Sequence, residues 1–238
     1  MKYLFTTLLF SFPAPVWAQS VAIDLGAAAG AHGDTTARLV QLTAFITLMS
    51  LAPSLLVMAI AFTRIVMVLS LLRSALGAQG TPPNSVLIGL ALFLTWFVMQ
   101  PVFEQSWTSG IVPMMENRMG ELDGIKAAAE PFRAFMLRNL RAADLTFFQS
   151  LVQAPAEETS WRIIMPAFMV GELRRAFEMG FLLFLPFLVI DMVVASVLMS
   201  LGMMMLPPNV VSLPFKLIFF ALADGWRLVA GGLVRTFG

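Results

Sequence analysis

The chain of 238 residues is 59% hydrophobic and 12% charged, about half the charged share of an average soluble domain. That leaves too little polar surface to coat a soluble fold of this length, so the composition points to a chain inserted in a membrane. A net charge of +1 excludes a basic field for holding nucleic acid, and the absence of cysteine excludes disulfides, thiolate metal sites and cysteine nucleophiles.

The first 18 residues have the layout of a cleavable signal peptide. Lys2 supplies the positive start, Leu4 to Phe12 the short apolar core, and Pro13 and Pro15 break it. Val16-Trp17-Ala18 then offers small residues at the two positions a signal peptidase reads, which predicts cleavage between Ala18 and Gln19. The alternative, a short first anchor, would need a longer apolar run to span a bilayer. Residues 19–38, rich in glycine and alanine, read as a flexible periplasmic lead. The one histidine, His32, falls there, which argues against a histidine-based metal site or triad.

Residues 39–103 read as a first helical hairpin. Leu39 to Thr63 and Ser74 to Phe103 carry no charge, and each exceeds the roughly 20 residues that cross a hydrocarbon core. Residues 104–162 form a polar periplasmic helical segment. Within it Phe132, Phe135, Met136, Leu140, Ala143, Phe147 and Leu151 recur at helical spacing, and Pro131 sits where a first helical residue should. One amphipathic helix is expected there, docked on partner helices, because its charge is mixed rather than uniformly basic. Residues 163–238 read as a second hairpin: Met179 to Phe215 contains only Asp191, and Val210 to Val234 carries Lys216, Asp224 and Arg227. Pro53, Pro101, Pro186 and Pro214 predict kinks. The expected fold is therefore an all-α membrane protein of two long kinked helical hairpins, with an amphipathic periplasmic helical region between them.

The hairpins match each other at a constant offset of 125 positions. Leu76-Gly77, Pro82-Pro83-Asn84 and Val86 correspond to Leu201-Gly202, Pro207-Pro208-Asn209 and Val211, and Phe62, Ile65, Met67 and Val68 to Phe187, Ile190, Met192 and Val193. Each Pro-Pro-Asn is a tight-turn signal between two helices. A cleaved signal peptide starts the mature chain outside, so both turns would face inward. The positive-inside rule adds little, since only Arg73 flanks the first turn and no charge flanks the second.

No catalytic pattern emerges. None of the three lysines follows a phosphate-cradling glycine loop, and no metalloprotease or nucleophile-elbow motif is present. No cofactor is implied. The informative residues are charges inside apolar helices. Arg64, Asp191 and Lys216 each cost a few kcal/mol if left bare in lipid, so each needs a partner or an aqueous neighbour. They line either a water-filled conduit or a fixed contact, and the repeat offset favours a structural Arg64–Asp191 pair. An intramembrane aspartyl enzyme would need Asp191 and Asp224 together, which nothing in the spacing requires. Met203-Met204-Met205 lies at the second turn. Unbranched, adaptable methionine suits either generic apolar packing or a soft collar around a passing chain.

Phe62-Thr63-Arg64-Ile65-Val66, Leu72-Arg73-Ser74-Ala75-Leu76-Gly77 and Thr81-Pro82-Pro83-Asn84 through Leu94 closely resemble the FliP family of flagellar export proteins. So do Pro186 through Asp191, Gly202-Met203-Met204-Met205-Leu206-Pro207-Pro208, Leu213-Pro214-Phe215-Lys216 and Asp224-Gly225-Trp226. The likeness implies a channel-forming subunit of a type III protein export gate, passing unfolded export substrates through the bacterial inner membrane within the flagellar basal body. It implies several copies assembled with FliR-like and FliQ-like subunits, and it assigns Met203, Met204 and Met205 to the inner constriction. The signal peptide favours the flagellar branch over a virulence injectisome. A small secondary transporter, with paired hairpins and buried charges, is the competing class. One departure is Gly171-Glu172-Leu173-Arg174-Arg175, where relatives more often carry serine before the glutamate and one basic residue after it.

Overall fold

The computed structural model describes residues 60–78, 80–155, 157–203 and 205–237, with scattered helical positions between 39 and 50. Two compact units divide after Ser50. In the first, the described positions are helical and exposed, and the Thr43 and Thr47 hydroxyls donate back to the carbonyls of Leu39 (2.7 Å) and Thr43 (2.8 Å). Ala18, Gln19 and the lead that follows lie outside the described residues.

The second unit is helical, without a strand among the described residues. Its helices are α1 (Phe62–Leu76), α2 (Asn84–Ser106), α3 (Val112–Met115), α4 (Glu121–Asn139), α5 (Ala142–Leu151), α6 (Trp161–Ser200), α7 (Pro208–Leu222) and α8 (Gly225–Arg235). Two hairpins, α1–α2 and α6–α7, turn at the two Pro-Pro-Asn segments. Both turns begin on a left-handed glycine, Gly77 at φ 72° and Gly202 at φ 73°, a conformation that glycine adopts without a Cβ penalty. The Gly202 turn closes with paired bonds from the Gly202 N–H to the Met199 carbonyl (3.1 Å) and from the Met203 N–H to the Leu198 carbonyl (3.0 Å). Arg73 ties the first turn by donating to the side-chain oxygen of Asn84 and, at 3.5 Å, to the Pro82 carbonyl.

α1 runs parallel to α6, with Arg64 beside Glu172 and Leu71 beside Gly180. A Cβ at Gly180 would collide with Leu71, so that glycine sets how closely the two helices approach. One side of α1 (Ile65, Val68, Leu69, Leu72) is fully enclosed. α6 changes character along its 40 residues, a length of about 60 Å and so twice a hydrocarbon core. Its first half buries Ile163, Ile164, Ala167, Phe168 and Ala176, whereas beyond Gly180 only Phe187 and Leu198 are buried. α2 continues through to Met115, giving a second apolar helix long enough to cross a membrane, and α7 with α8 forms a third such stretch bent by 64°.

The polar segment differs from the single helix expected of it. Pro131 lies inside α4 instead of opening a helix, and the chain breaks at Leu140 and Arg141, both extended. A proline N lacks the hydrogen that would bond the carbonyl four residues back, here Ala127. The Ser106 hydroxyl donates to the next carbonyl, Ala128 (2.7 Å), while Ser109 donates to the Gln105 carbonyl (2.7 Å) and lies 3.3 Å from that of Ala127, so the preceding turn packs against α4 at its proline. Ser106 precedes and Ser109 lies within a π turn, Trp107–Ile111, whose carbonyl at Trp107 is bonded by the Val112 N–H. Pro113, with no N–H for Ser109, accounts for the slipped ladder. Gly110 lets this turn touch the backbone of Ala128. At the break, Asn139 bonds back to the Phe135 carbonyl (3.0 Å) and ends α4. The helical periodicity therefore fails past Leu140: Phe135 and Met136 are buried, while Phe147 and Leu151 are exposed.

Candidate functional site: two charged nodes and a methionine turn

The charges inside the apolar helices are paired, but not as the repeat suggested. Arg64 does not reach Asp191. It is fully buried on α1 and forms a two-pronged pair with Glu172 of α6, Nε donating to Oε2 at 2.8 Å and Nη2 to Oε1. Its remaining nitrogen, Nη1, donates to the carbonyl (3.1 Å) and hydroxyl (3.0 Å) of Thr236, and its guanidinium lies 3.8 Å from the ring centre of Phe237. Phe237 in turn stacks on Phe135 of α4, with ring centres 6.1 Å apart. A fork-shaped guanidinium meets a carboxylate with two parallel bonds, which is why arginine fits this position and lysine would not.

Asp191 belongs to a second node. Lys216 of α7 donates to Asp191 at 2.6 Å and to the Ala75 carbonyl at 3.1 Å, and Ser212 donates to the other Asp191 oxygen. Ala75 lies in the last turn of α1, where carbonyls lack helical donors and the helix dipole favours a cation. One lysine thus joins α1, α6 and α7. Asp191 lies about 28 Å along α6 from Glu172 and about 14 Å before the end of that helix. On α1 the two nodes are anchored closer together, at Arg64 and Ala75, about 16 Å apart.

Asp224, expected among the buried charges, is exposed, its side chain at 66% with Arg227 3.7 Å away. It sits outside the apolar packing because it forms the corner between α7 and α8, in a left-handed conformation at φ 51°. Asp191 and Asp224 have different partners, so they do not form a shared-proton carboxylate pair. The methionine turn projects from the hairpin: Met205 is 98% exposed and Met203 43%, while Met204 lies outside the described residues. Pro82, Pro83 and Asn84 form the first turn, and Pro207, Pro208 and Asn209 close the second into α7.

Sequence reasoning missed Glu172, Thr236 and Phe237, and also Asp144. The signal for Glu172 was present: an acidic residue among Gly171, Leu173 and Phe177 in the stretch assigned to the second hairpin. Asp144 of α5 is 5% exposed, with Arg174 3.4 Å from one oxygen and no partner for the other, Oδ2. That oxygen lies 3.3 Å from where a Cβ at Gly171 would stand. Gly171→Ser is expected to supply the missing donor and raise stability by about 1 kcal/mol, the worth of relieving an unsatisfied buried acceptor. Gly171→Ala brings the same crowding without the hydroxyl, so unfolding midpoints in mild detergent should rank serine above alanine; equal midpoints would remove the argument.

Long apolar helices, locked to one another by internally neutralised charges, define an all-α membrane protein whose polar side chains serve helix packing. Among the described residues no group of three metal-ligating side chains converges. Residues 45–233 match the model of the FliP family. The chain is 56% identical over 230 residues to the flagellar biosynthetic protein FliP of Caulobacter vibrioides, covering 94% of this chain and 85% of that protein. It is 44% identical to that of Agrobacterium fabrum (86% of each chain) and 46% identical to that of Bacillus subtilis (83% and 91%). The chain belongs to the FliP family of flagellar biosynthetic proteins, components of the type III export apparatus.

Proposed function

We propose that the protein is a channel-forming subunit of the flagellar export gate, through which unfolded export substrates cross the bacterial inner membrane. Several copies, with FliR-like and FliQ-like subunits, make a closed helical wall in the basal body. After removal of residues 1–18 the chain is multi-pass, with residues 19–38 and 104–162 periplasmic. The observation that carries this reading is the unburied second half of α6. Phe181, Leu182, Val189, Met192, Val193 and Val197 are all exposed in the single chain, over a length that one bilayer crossing accounts for but that also offers a continuous helix-packing face. With the charges of Asp191 and Lys216 already joined, that face is uniformly apolar and suited to neighbouring helices. The chain contains no nucleotide-hydrolysing motif, so energy for transport comes from outside it.

Met203, Met204 and Met205 form the constriction in this reading. A projecting run of flexible thioethers repacks around varied side chains, which suits a seal that must yield to a peptide and close behind it. Membrane complexes purified in mild detergent after co-expression with neighbouring genes should have the mass of several copies plus two other small membrane proteins. A lone monomer or dimer would return the reading to a small secondary transporter. Replacing Met203, Met204 and Met205 with alanine should raise ion leak while leaving that mass unchanged; unaltered leak in intact complexes would argue against the seal.

A further inference from the structure

The corner between α7 and α8 is built with some care, and its far end is tied down. Residues 208–235 are long and apolar enough to cross a membrane only as one continuous stretch, yet its two halves are bent by 64° at Ala223 and Asp224. Asp224 holds a left-handed conformation that side chains other than glycine adopt at a cost. Just past it, Phe220 lies so close over Gly225 that a Cβ there would enter the ring, and Trp226 meets Phe220 edge-on with centres 5.3 Å apart. Beyond the corner α8 packs through one face, with Val229 and Leu233 in the main core and Ala230 and Val234 half-buried against it. After Gly225 only Val229 and Leu233 of α8 are buried, and Leu228 is among the exposed apolar residues.

What holds the far end is Arg64, through its two bonds to Thr236 and the face of Phe237. If that end leaves, Arg64 keeps its two-pronged pair with Glu172, so its charge stays neutralised. The contacts to residues 236 and 237 are therefore separable from the buried ion pair that they sit on. On the other side of the balance stands the corner, whose conformational cost disappears when Asp224 becomes helical.

We infer that Arg64, Thr236 and Phe237 form a latch that holds α8 turned away at a strained corner, and that its release lets α7 and α8 run on as one straight membrane-crossing helix. The straight form is 28 residues long, about 42 Å, ample for a bilayer. The latch is a two-state element: the contacts of residues 236 and 237, added to the apolar face of α8, oppose one unfavourable backbone conformation. It goes beyond the channel reading and does not depend on it.

The chain has no native cysteine, so spin labels can be placed alone at Val210→Cys and Arg235→Cys, both exposed positions. Along a straight helix these sites are about 38 Å apart, and across the observed bend about 32 Å. Pulsed dipolar spectroscopy on the full chain, spin-diluted with unlabelled protein in lipid nanodiscs, should give the short distance. Ending the chain at position 235, which removes the Thr236 carbonyl and hydroxyl and the Phe237 ring but leaves the Arg64–Glu172 pair in place, should move most of the population to the long distance. Adding Asp224→Gly to that variant removes the cost of the corner and should bring back the short one. A distance that stays short in the chain ended at position 235, or a broad distribution with no long component, would overturn the latch. So would failure of Asp224→Gly to restore the bend.

Discussion

Replacing Glu172 with glutamine is expected to destabilise the folded chain more than replacing the whole Arg64–Glu172 pair with apolar residues. Both side chains are fully buried, and the carboxylate receives two of the guanidinium's bonds. Taking away one charge leaves the other enclosed without compensation, a loss of about 3–5 kcal/mol in comparable buried pairs. Arg64→Met with Glu172→Leu removes both charges at similar volume, so the desolvation penalty goes with the attraction. Some loss remains, because the bonds to the Thr236 carbonyl and hydroxyl go, although Thr236 is exposed and water can take the place of that donor. Unfolding in mild detergent should therefore order the variants as wild type, double, then either single. If the double loses as much as the two singles summed, the direct coupling of Arg64 to Glu172 is refuted.

The same node shows why the arginine's partner was hard to read from the sequence. The two hairpins match at an offset of 125, and that correspondence sets Arg64 two residues from the position equivalent to Asp191. Equivalence in a repeat is not contact. α1 lies against α6 in a parallel register of 108 positions at Arg64 and Glu172, so the helices are displaced by 17 residues, about 25 Å, from the repeat alignment. Packing fixed that register through side-chain size, with Gly180 admitting Leu71, and such close approaches leave no periodic trace. Turn chemistry, by contrast, is local. Gly77 and Gly202, each followed by Pro-Pro-Asn, announced both hairpin turns because only a few residue types accept those backbone conformations. The apolar lengths of α2 and α6 were legible for the same reason, being properties of contiguous sequence.

The polar segment sits between these extremes. Its apolar spacing was read correctly as helical, but whether Pro131 begins a helix or interrupts one depends on what packs against the carbonyls it leaves without a helical donor. The answer lies in a distant turn, where Ser106 donates to the Ala128 carbonyl and Gly110 meets the Ala128 backbone. Asp224 was misjudged in the opposite sense. A charge inside an apolar stretch reads as buried, and here it escapes burial by marking the place where the stretch bends.

Exchanging Asp191 and Lys216 with each other is expected to fail where a simple reversed ion pair would succeed. In the native arrangement Lys216 has two acceptors, the Asp191 carboxylate and the Ala75 carbonyl at the end of α1. A carboxylate at 216 would face that carbonyl with no proton to give, and it would add a negative charge at the negative end of the helix dipole. Ser212 would meanwhile lose the acceptor that Asp191 provides. Lys216→Met should leave Asp191 in an apolar helix without its cation, a penalty on the order of 3 kcal/mol for a bare charge at mid-bilayer. Asp191→Asn with Lys216→Gln should be the mildest of the set, because amides keep donors for Ala75 and an acceptor for Ser212 while removing both charges. The ranking can be read from the amount of folded chain in the membrane and from motility: the neutral amide pair first, then the singles, with the exchanged pair last. Recovery in the exchanged pair would mean that Coulombic attraction alone holds α7 to α6, and that the bond to α1 contributes nothing.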